Sequence, residues 1–329
     1  MQKGRNGQTA RCKEGPGKSG LQGTRILFLS ACLVLCCLPL RAQNNSPIFT
    51  QQLFSPVNFN PAAVMQNPVV EASLYGRMQW VGFKGAPKDI MLNVSGYLPE
   101  IKSGISGSVV GESFGPALML NAKVGYSYHL HMGRKNYLTF GLNVGFIFKS
   151  FSGDRLVSED GSDPYLEYED LNDVKPDVDF GLVFTFNKFQ FGLSANHLTA
   201  WAYNRQKDYF APQEAYYAFV RFQGDVNAKF ALDPYICAYY ANGFLKAEAV
   251  LNFRFLDLFW IGGGYRYNDA VVMMAGVKIG KVFSLGYSYD LSMGSLRKWN
   301  SGSHEVFLSL RFETTRKIGE VTDTPLMFE

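Results

Sequence analysis

The densest run of reactive side chains in this 329-residue sequence is acidic. Asp154, Glu159, Asp160, Asp163, Glu167, Glu169, Asp170, Asp173, Asp177 and Asp179 stand against only Arg155 and Lys175. Clustered carboxylates suit a hard cation such as calcium. The run lacks the regular spacing of a D-x-[DN]-x-[DN]-G loop, so it reads as a solvated surface loop, with partner docking as its one functional use. His129 and His131 sit two residues apart at a tight turn with no third ligand, and His197 and His304 are unaccompanied. Lys246, Glu248 and Arg254 share one face of one segment, and Glu305 and Arg311 one face of another. A charged ladder filling an interior accounts for them better than a substrate relay. The run Gly276-Val277-Lys278-Ile279-Gly280-Lys281 is too short for a phosphate loop and lacks its Ser/Thr, and no G-x-S-x-G elbow occurs. No catalytic residue, cofactor or metal is assigned, and the chain is not expected to be an enzyme.

Four of the five cysteines, Cys12, Cys32, Cys36 and Cys37, precede residue 42, leaving Cys237 without a disulfide partner. That N-terminal stretch reads as a leader: an overlong basic n-region, an apolar run from Ile26 to Leu40, and Arg41-Ala42 before the expected cleavage after Ala42. The apolar run is too short to span a bilayer comfortably. Leu29-Ser30-Ala31-Cys32 has the form of a lipoprotein box, but the longer apolar stretch follows Cys32 instead of preceding it. Seven of the 32 Lys and Arg and one of the 28 Asp and Glu fall in residues 1–42, leaving 25 against 27, a net of −2. Net charge therefore gives no support to a nucleic-acid partner.

These side chains must be positioned by strands. Aromatics make up 15% of the chain and charged residues only 18%, with 33 glycines, a mix that favours many short strands. From Val69 onward, segments of roughly ten residues alternate with period two. Leu138, Phe140, Leu142, Val144, Phe146 and Phe148 oppose Thr139, Gly141, Asn143, Gly145 and Lys149. A soluble sandwich would also alternate. Mid-strand Lys, Arg, Glu and Asn with many glycines instead suit a wet lumen, and tyrosine pairs such as Tyr126/Tyr128, Tyr265/Tyr267 and Tyr287/Tyr289 suit an interfacial girdle. The expectation is all-β: one transmembrane antiparallel β-barrel of about fourteen strands, outer-membrane type. The strands are placed near 70–81, 89–97, 102–111, 117–130, 137–149, 177–187, 189–198, 213–222, 226–241, 244–255, 258–268, 270–279, 281–291 and 303–313. The longer connections, 82–88, 150–176, 199–212 and 292–302, all fall at odd positions, which puts both termini on the short-turn, periplasmic side. The expected organisation is a signal peptide (1–42), a polar N-terminal periplasmic arm (43–68), the barrel (69–313) and a C-terminal tail (314–329).

Three blocks carry a family resemblance. The first is Gln52-Leu53-Phe54-Ser55 with Asn60-Pro61-Ala62. The second is Arg77, Gln79-Trp80-Val81-Gly82-Phe83 and Gly85-Ala86-Pro87-Lys88. The third is Gly286-Tyr287-Ser288-Tyr289-Asp290, Ser295-Leu296, Ser303-His304-Glu305 and Arg311-Phe312. Together they resemble the PorP/SprF family of type IX secretion system outer-membrane proteins from Bacteroidetes. The middle, 110–280, matches only in texture, Ala63-Val64 replace a more usual aromatic after Asn60-Pro61-Ala62, and seventeen residues extend past Phe312. The resemblance implies a non-enzymatic barrel in the outer-membrane lipids of a Gram-negative bacterium. Its implied partners are the periplasmic lipoprotein ring and motor of type IX secretion and secreted cargo proteins, gliding adhesins included. The alternatives are a porin or hydrophobic-solute channel and a soluble secreted sandwich or adhesin. The stretch RMQWVGFKGAPKD, residues 77–89, is expected to end the first strand and form a structured outward loop, shaped by Gly82, Gly85 and Pro87, with Trp80 near the outer interface.

Overall fold

A computed structural model describes residues 48–64, 69–133, 135–153, 170–203, 211–293 and 295–313. The leader, the C-terminal tail and positions 154–169 of the acidic run lie outside the described residues.

Alternation becomes wall. The strands are β1 (Val69–Met78), β2 (Lys88–Leu98), β3 (Ser103–Phe114), β4 (Ala117–His131), β5 (Asn136–Phe151), β6 (Leu171–Phe186), β7 (Phe189–Asn196), β8 (Ala215–Phe222), β9 (Gly224–Asn227), β10 (Phe230–Ala241), β11 (Phe244–Phe255), β12 (Phe259–Arg266), β13 (Ala270–Ile279), β14 (Phe283–Ser292) and β15 (Ser303–Glu313). Each neighbouring pair is antiparallel, β15 returns to β1, and β10 pairs with β11 to close the ring. β8 and β9 both pair with β10 and form one stave interrupted at Gln223, so the wall has fourteen staves. A closed ring leaves no edge and no unpaired backbone row, which the hydrocarbon core demands.

Outward positions such as Leu74, Val94, Ile105, Leu142, Leu193, Ile236 and Val306 are exposed, while their neighbours Tyr75, Asn93, Asn143 and Glu305 are buried. A wall with aliphatic side chains outside and ionic ones inside is stable only with lipid around it. The sequence expectation differs at two places. β6 begins at Leu171, six residues before the expected start at 177, so Asp173 joins Asp177 and Asp179 in a strand and lies outside the expected 150–176 connection. The turn expected at 223–225 lies at Ala228-Lys229. The short connections Gly115-Pro116 and Asn242-Gly243 also lie at the end that carries the long loops, the latter where it was expected, between 226–241 and 244–255. That end, with the connections 79–87, 197–214 and 293–302, is here the loop end. The other, carrying Val69 and Glu313, is the turn end.

The largest correction concerns the arm. Phe49–Val64, expected on the periplasmic side, lies within the barrel. Two 3₁₀ turns, Thr50–Phe54 and Pro56–Asn58, shape it. Pro56 opens the second turn, where a missing N–H costs nothing. Asn60 Oδ1 accepts the Ala62 amide at 2.9 Å, an Asx turn that bends the chain back through Pro61. Phe49, Leu53, Phe54 and Phe59 are buried against Tyr75, Trp260, Phe307, Phe219 and Tyr235 of the wall. Each such side chain contributes about 1.5–3 kcal/mol on leaving water.

Candidate functional site

The plug is held at its N-terminal end by an ionic lattice. Arg77 stands near the loop end of β1, Asp290 near that of β14 and Glu305 near that of β15, while Arg266 closes β12. Arg77 Nη2 lies 2.6 Å from Asp290 Oδ2 and its Nη1 3.2 Å from Glu305 Oε2. Arg266 Nη1 meets the same Asp290 oxygen at 2.8 Å, and its Nη2 lies 2.5 Å from Glu248 Oε2. All five side chains are at most 3% exposed. Buried charge is tolerable only when paired and hydrogen-bonded.

Thr50 and Gln51 complete this lattice. Their backbone amides donate to Glu305 Oε2 and Oε1, both at 2.8 Å. The Thr50 hydroxyl donates to Asp290 Oδ1 at 2.8 Å and accepts from Arg77 Nη1 and Arg266 Nη2, each at 3.1 Å. The first N–H groups of a helical turn, which have no partner in the turn itself, thus meet a carboxylate. Further along, Arg221 Nη1 donates to Leu53 O at 2.9 Å and Ser194 Oγ to Phe59 O at 2.6 Å. Asn60 Nδ2 bonds Leu182 O and Leu193 O at 3.3 and 3.1 Å.

Strand glycines admit the plug. Gly141 of β5 and Gly181 of β6 are cross-strand partners. A Cβ at Gly141 would meet the Ala62 amide and lie 2.6 Å from Pro61 O. One at Gly181 would meet Asn60 Oδ1 and lie 2.8 Å from Pro61 Cδ. Neither glycine has an unusual φ; close approach of backbone requires them. The sequence reading of inward glycines as a wet lumen is corrected here: at these positions the space is filled by the chain itself. Two cavities beside the plug are small, about 50 Å³ between Asn58, Phe59, Asn121 and Lys123, and about 10 Å³ beside Ile48 and Gln52.

Parts of all three sequence blocks meet at the loop end, whereas Arg311-Phe312 lie at the turn end. Gln79 Nε2 donates to Asp89 Oδ2 at 2.7 Å, and the Gln79 amide to Pro87 O at 2.9 Å. The Trp80 amide donates to Ser303 Oγ at 3.1 Å, and Val81 N bonds Gly302 O at 2.8 Å. Trp80 has φ 45°, Gly82 97° and Gly85 77°, so the loop turns through left-handed backbone. Phe83 is exposed at its tip. Outside, Tyr287 OH and His304 Nδ1 lie 2.6 Å apart, and Tyr289 OH donates to Ser301 O at 2.9 Å. His304 is therefore not unaccompanied. Ser288 is buried, and Ser295 and Leu296 fall in the 3₁₀ turn Ser295–Lys298. Ala42 lies outside the described residues. The reading missed Thr50, Gln51, Arg221 and Arg266. Arg266 was detectable, because period two turns it inward between the outward Tyr265 and Tyr267.

A second lattice gathers residues assigned to the acidic run. Asp177, Asp179 and His197 offer ligand atoms within 4.8 Å of one another, the only such set of three among the described residues. Lys123 Nζ lies 2.6 Å from Asp177 Oδ2 and 2.7 Å from Asp179 Oδ2. Asn143 Nδ2 and the His197 amide also donate to Asp179, at 3.2 and 3.0 Å, and His197 Nδ1 lies 2.9 Å from Asp177. The Lys123 ammonium stands between these carboxylates, and Asp179 accepts from Lys123, Asn143 and the His197 amide. His197, too, has company that the sequence reading denied it. Two further charge pairs join neighbouring strands, Arg254 with Asp233 at 2.6 Å and Arg311 with Glu71 at 2.8 Å, while Lys246 of the expected ladder forms no ion pair among the described residues. The interior charged ladder is present, its rungs running across strands.

A closed wall of fourteen staves, apolar outside, ion-paired inside and crossed by its own N-terminal segment, defines an outer-membrane β-barrel with a plugged lumen. The family model of the type IX secretion system membrane protein PorP/SprF matches residues 42–310, and the chain belongs to that family. It is thereby an outer-membrane component of type IX secretion. No curated protein matches the chain. Similar solved structures include a Pseudomonas aeruginosa FadL homologue, at 10% identity over 77% of this chain and 92% of that one, with a TM-score of 0.44. The Ralstonia pickettii toluene transporter TbuX is similar at 7% identity over 77% and 92%, TM-score 0.48. The monoaromatic hydrocarbon channel CymD is similar at 10% over 82% and 94%, TM-score 0.48.

Proposed function

We propose that this barrel is a closed scaffold of the secretion machinery, not a conduit. On this reading it supports export or surface anchoring of cargo proteins and contacts the periplasmic lipoprotein ring and motor. The observation that supports it most is the plug lattice: Arg77, Asp290 and Glu305, from two separate blocks of family-type sequence, converge on Thr50 and Gln51. Residues serving permeation would face an open path, whereas these hold a segment across it. The scaffold has no need of a catalytic group, and no cofactor is proposed.

Deleting the gene and assaying cargo on the cell surface tests the reading; unchanged export in a strain without a redundant copy would overturn it. Crosslinking and pull-down from native outer membranes should recover a periplasmic lipoprotein. The channel alternative makes the opposite prediction in planar bilayers, where steady conductance or solute uptake by the intact protein would favour it.

A further inference from the structure

Two connections at the loop end carry charge that the barrel itself does not use. Val81 joins the first, 79–87, to the second, 293–302: its amide donates to Gly302 O and its carbonyl accepts from Ser301 N, both at 2.8 Å. On the other side, Gly85 O accepts the Gly115 amide of the β3–β4 turn at 3.1 Å. These bonds hold the two loops together as one platform over β14, β15, β1 and β2. Lys84, Arg297 and Lys298 are exposed on it, and Lys88 is exposed where β2 begins. None of the four has an ion-pair or side-chain hydrogen-bond partner among the described residues. Neither loop contains an acid. Asp290 and Glu305 beneath them are buried in the plug lattice, and the flanking Asp269 is bonded to Arg266 at 3.3 Å.

Lys88 also belongs to the lipid-facing side. Tyr289, His304, Met78 and Lys88 are successive cross-strand partners on the outward face of β14, β15, β1 and β2. Met78 is 52% exposed there, and Ile90, one pleat further into the wall, 56%. A lysine stem can lie along such a surface while its ammonium reaches up into the headgroups. Trp299, 72% exposed, and Phe83, 47% exposed, stand on the platform itself, and aromatic rings at this level settle among headgroups. Lipid is thus the neighbour that the fold supplies, and four unpaired cations demand negative charge from it. We propose that the platform binds the phosphate-bearing headgroup of an outer-leaflet lipid. Long loops mark the outer face of such barrels, which sets the leaflet. The Arg297 guanidinium offers a fork for two phosphate oxygens, and the lysines supply point charges. A lipid held here would brace the loops of β1, β14 and β15, the strands whose Arg77, Asp290 and Glu305 hold the plug. The site needs only a barrel in a membrane, so it stands apart from what the barrel does in secretion.

The full chain, purified in detergent and checked for folding by heat-modifiable gel mobility, is titrated calorimetrically with four probes: lipid A, enzymatically dephosphorylated lipid A, inorganic phosphate and polyglutamate. The wild type should bind lipid A and lose that binding when the phosphates are removed. A basic residue beside an anionic lipid surface is worth about fivefold in affinity. Arg297→Ala/Lys298→Ala should therefore weaken lipid A binding roughly thirtyfold, and adding Lys84→Ala and Lys88→Ala should abolish it. Equal binding of dephosphorylated lipid A would reveal only the wall's grip on acyl chains. Tighter binding of inorganic phosphate would make this a free-anion site, and tighter binding of polyglutamate a dock for acidic polypeptide. Each of these outcomes overturns the proposal, as does a quadruple variant that binds lipid A like the wild type. If the quadruple variant fails to fold, Arg297→Glu/Lys298→Glu decides instead, with undiminished lipid A binding as the refuting result.

Discussion

Alanine at Gly141 and Gly181 separates the plug from the wall. In a strand the exchange is otherwise favourable, because glycine loses more conformational entropy than alanine, by roughly 0.5–1 kcal/mol per residue. Here each new Cβ would stand 2.6–2.8 Å from Pro61 atoms and meet the Ala62 amide or Asn60 Oδ1 as well. Ordinary contact begins at about 3.4 Å, so the Asn60–Ala62 turn must shift by most of an ångström at both positions. Its neighbours are backbone and a proline ring, which have no rotamer to escape into. Overpacking of this kind costs about 1–3 kcal/mol per site. Because the two glycines face the same turn, their costs fall on the same segment and will not simply add. The double variant should therefore open the plug roughly ten- to a hundredfold more often, at about 1.4 kcal/mol per tenfold. Hydrogen exchange by mass spectrometry reads this directly. The Thr50 and Gln51 amides, protected by Glu305 in the native state, should exchange faster by that factor. Wall amides of β13 and β14, across the ring from β5 and β6, should not change. If plug and wall amides accelerate together, or neither does, the close approach of plug and glycines is not what keeps the lumen closed.

Glu305→Ala strips the partner from two plug amides and one buried guanidinium, and should destabilise the protein by about 3–5 kcal/mol in urea titrations from detergent. Glu71→Ala removes a carboxylate that holds Arg311 and accepts from Ser309 away from the plug; it should leave Thr50 exchange unchanged while Glu305→Ala abolishes its protection. Lys123→Ala leaves Asp177 and Asp179 buried without their cation and should cost a similar 3–5 kcal/mol, whereas exchanging all three for apolar residues of like volume should be nearly neutral. The intact protein in planar bilayers should be silent, with conductance appearing in the Gly141→Ala/Gly181→Ala variant; steady conductance of the wild type would sink the plug reading.

Much of the wall was legible because lipid and lumen impose period two on every stave, and a two-residue period survives small errors in boundary. It failed where a local signal imitated punctuation. Gln223-Gly224 resembles a hairpin turn, yet Gly224 is a strand residue whose missing side chain leaves room for the Phe222 ring. Asp177 and Asp179 sit in an acidic run that resembles loop, because carboxylates rarely enter strands, and the opposing Lys123, more than fifty residues away, helps make their burial tolerable, whereas the partly exposed Asp173 pairs with Lys175. The lattice was half visible: the blocks name Arg77, Asp290 and Glu305, but sequence spacing carries no hint that three strands bring them to one side of the ring. The plug was not visible at all. Its polar, proline-bearing composition is that of a solvated arm, and what buries it is a complement of aromatics and glycines scattered around the ring.

The same complement bears on how such a barrel could ever open. A partner that shifted the plug from one per cent withdrawn to ninety-nine per cent would have to bind the open form about 5.5 kcal/mol more tightly than the closed one. A small apolar solute gains roughly 0.3 kcal/mol per atom once it reaches drug size and offers nothing to the groups the plug would abandon. Glu305 would lose two backbone amides, Arg221 a carbonyl and Ser194 another. Each of these is a main-chain contact, so the ligand best able to replace the plug is another stretch of polypeptide. The chemistry of the lumen thus points toward protein partners even in the one circumstance where the barrel would behave as a pore.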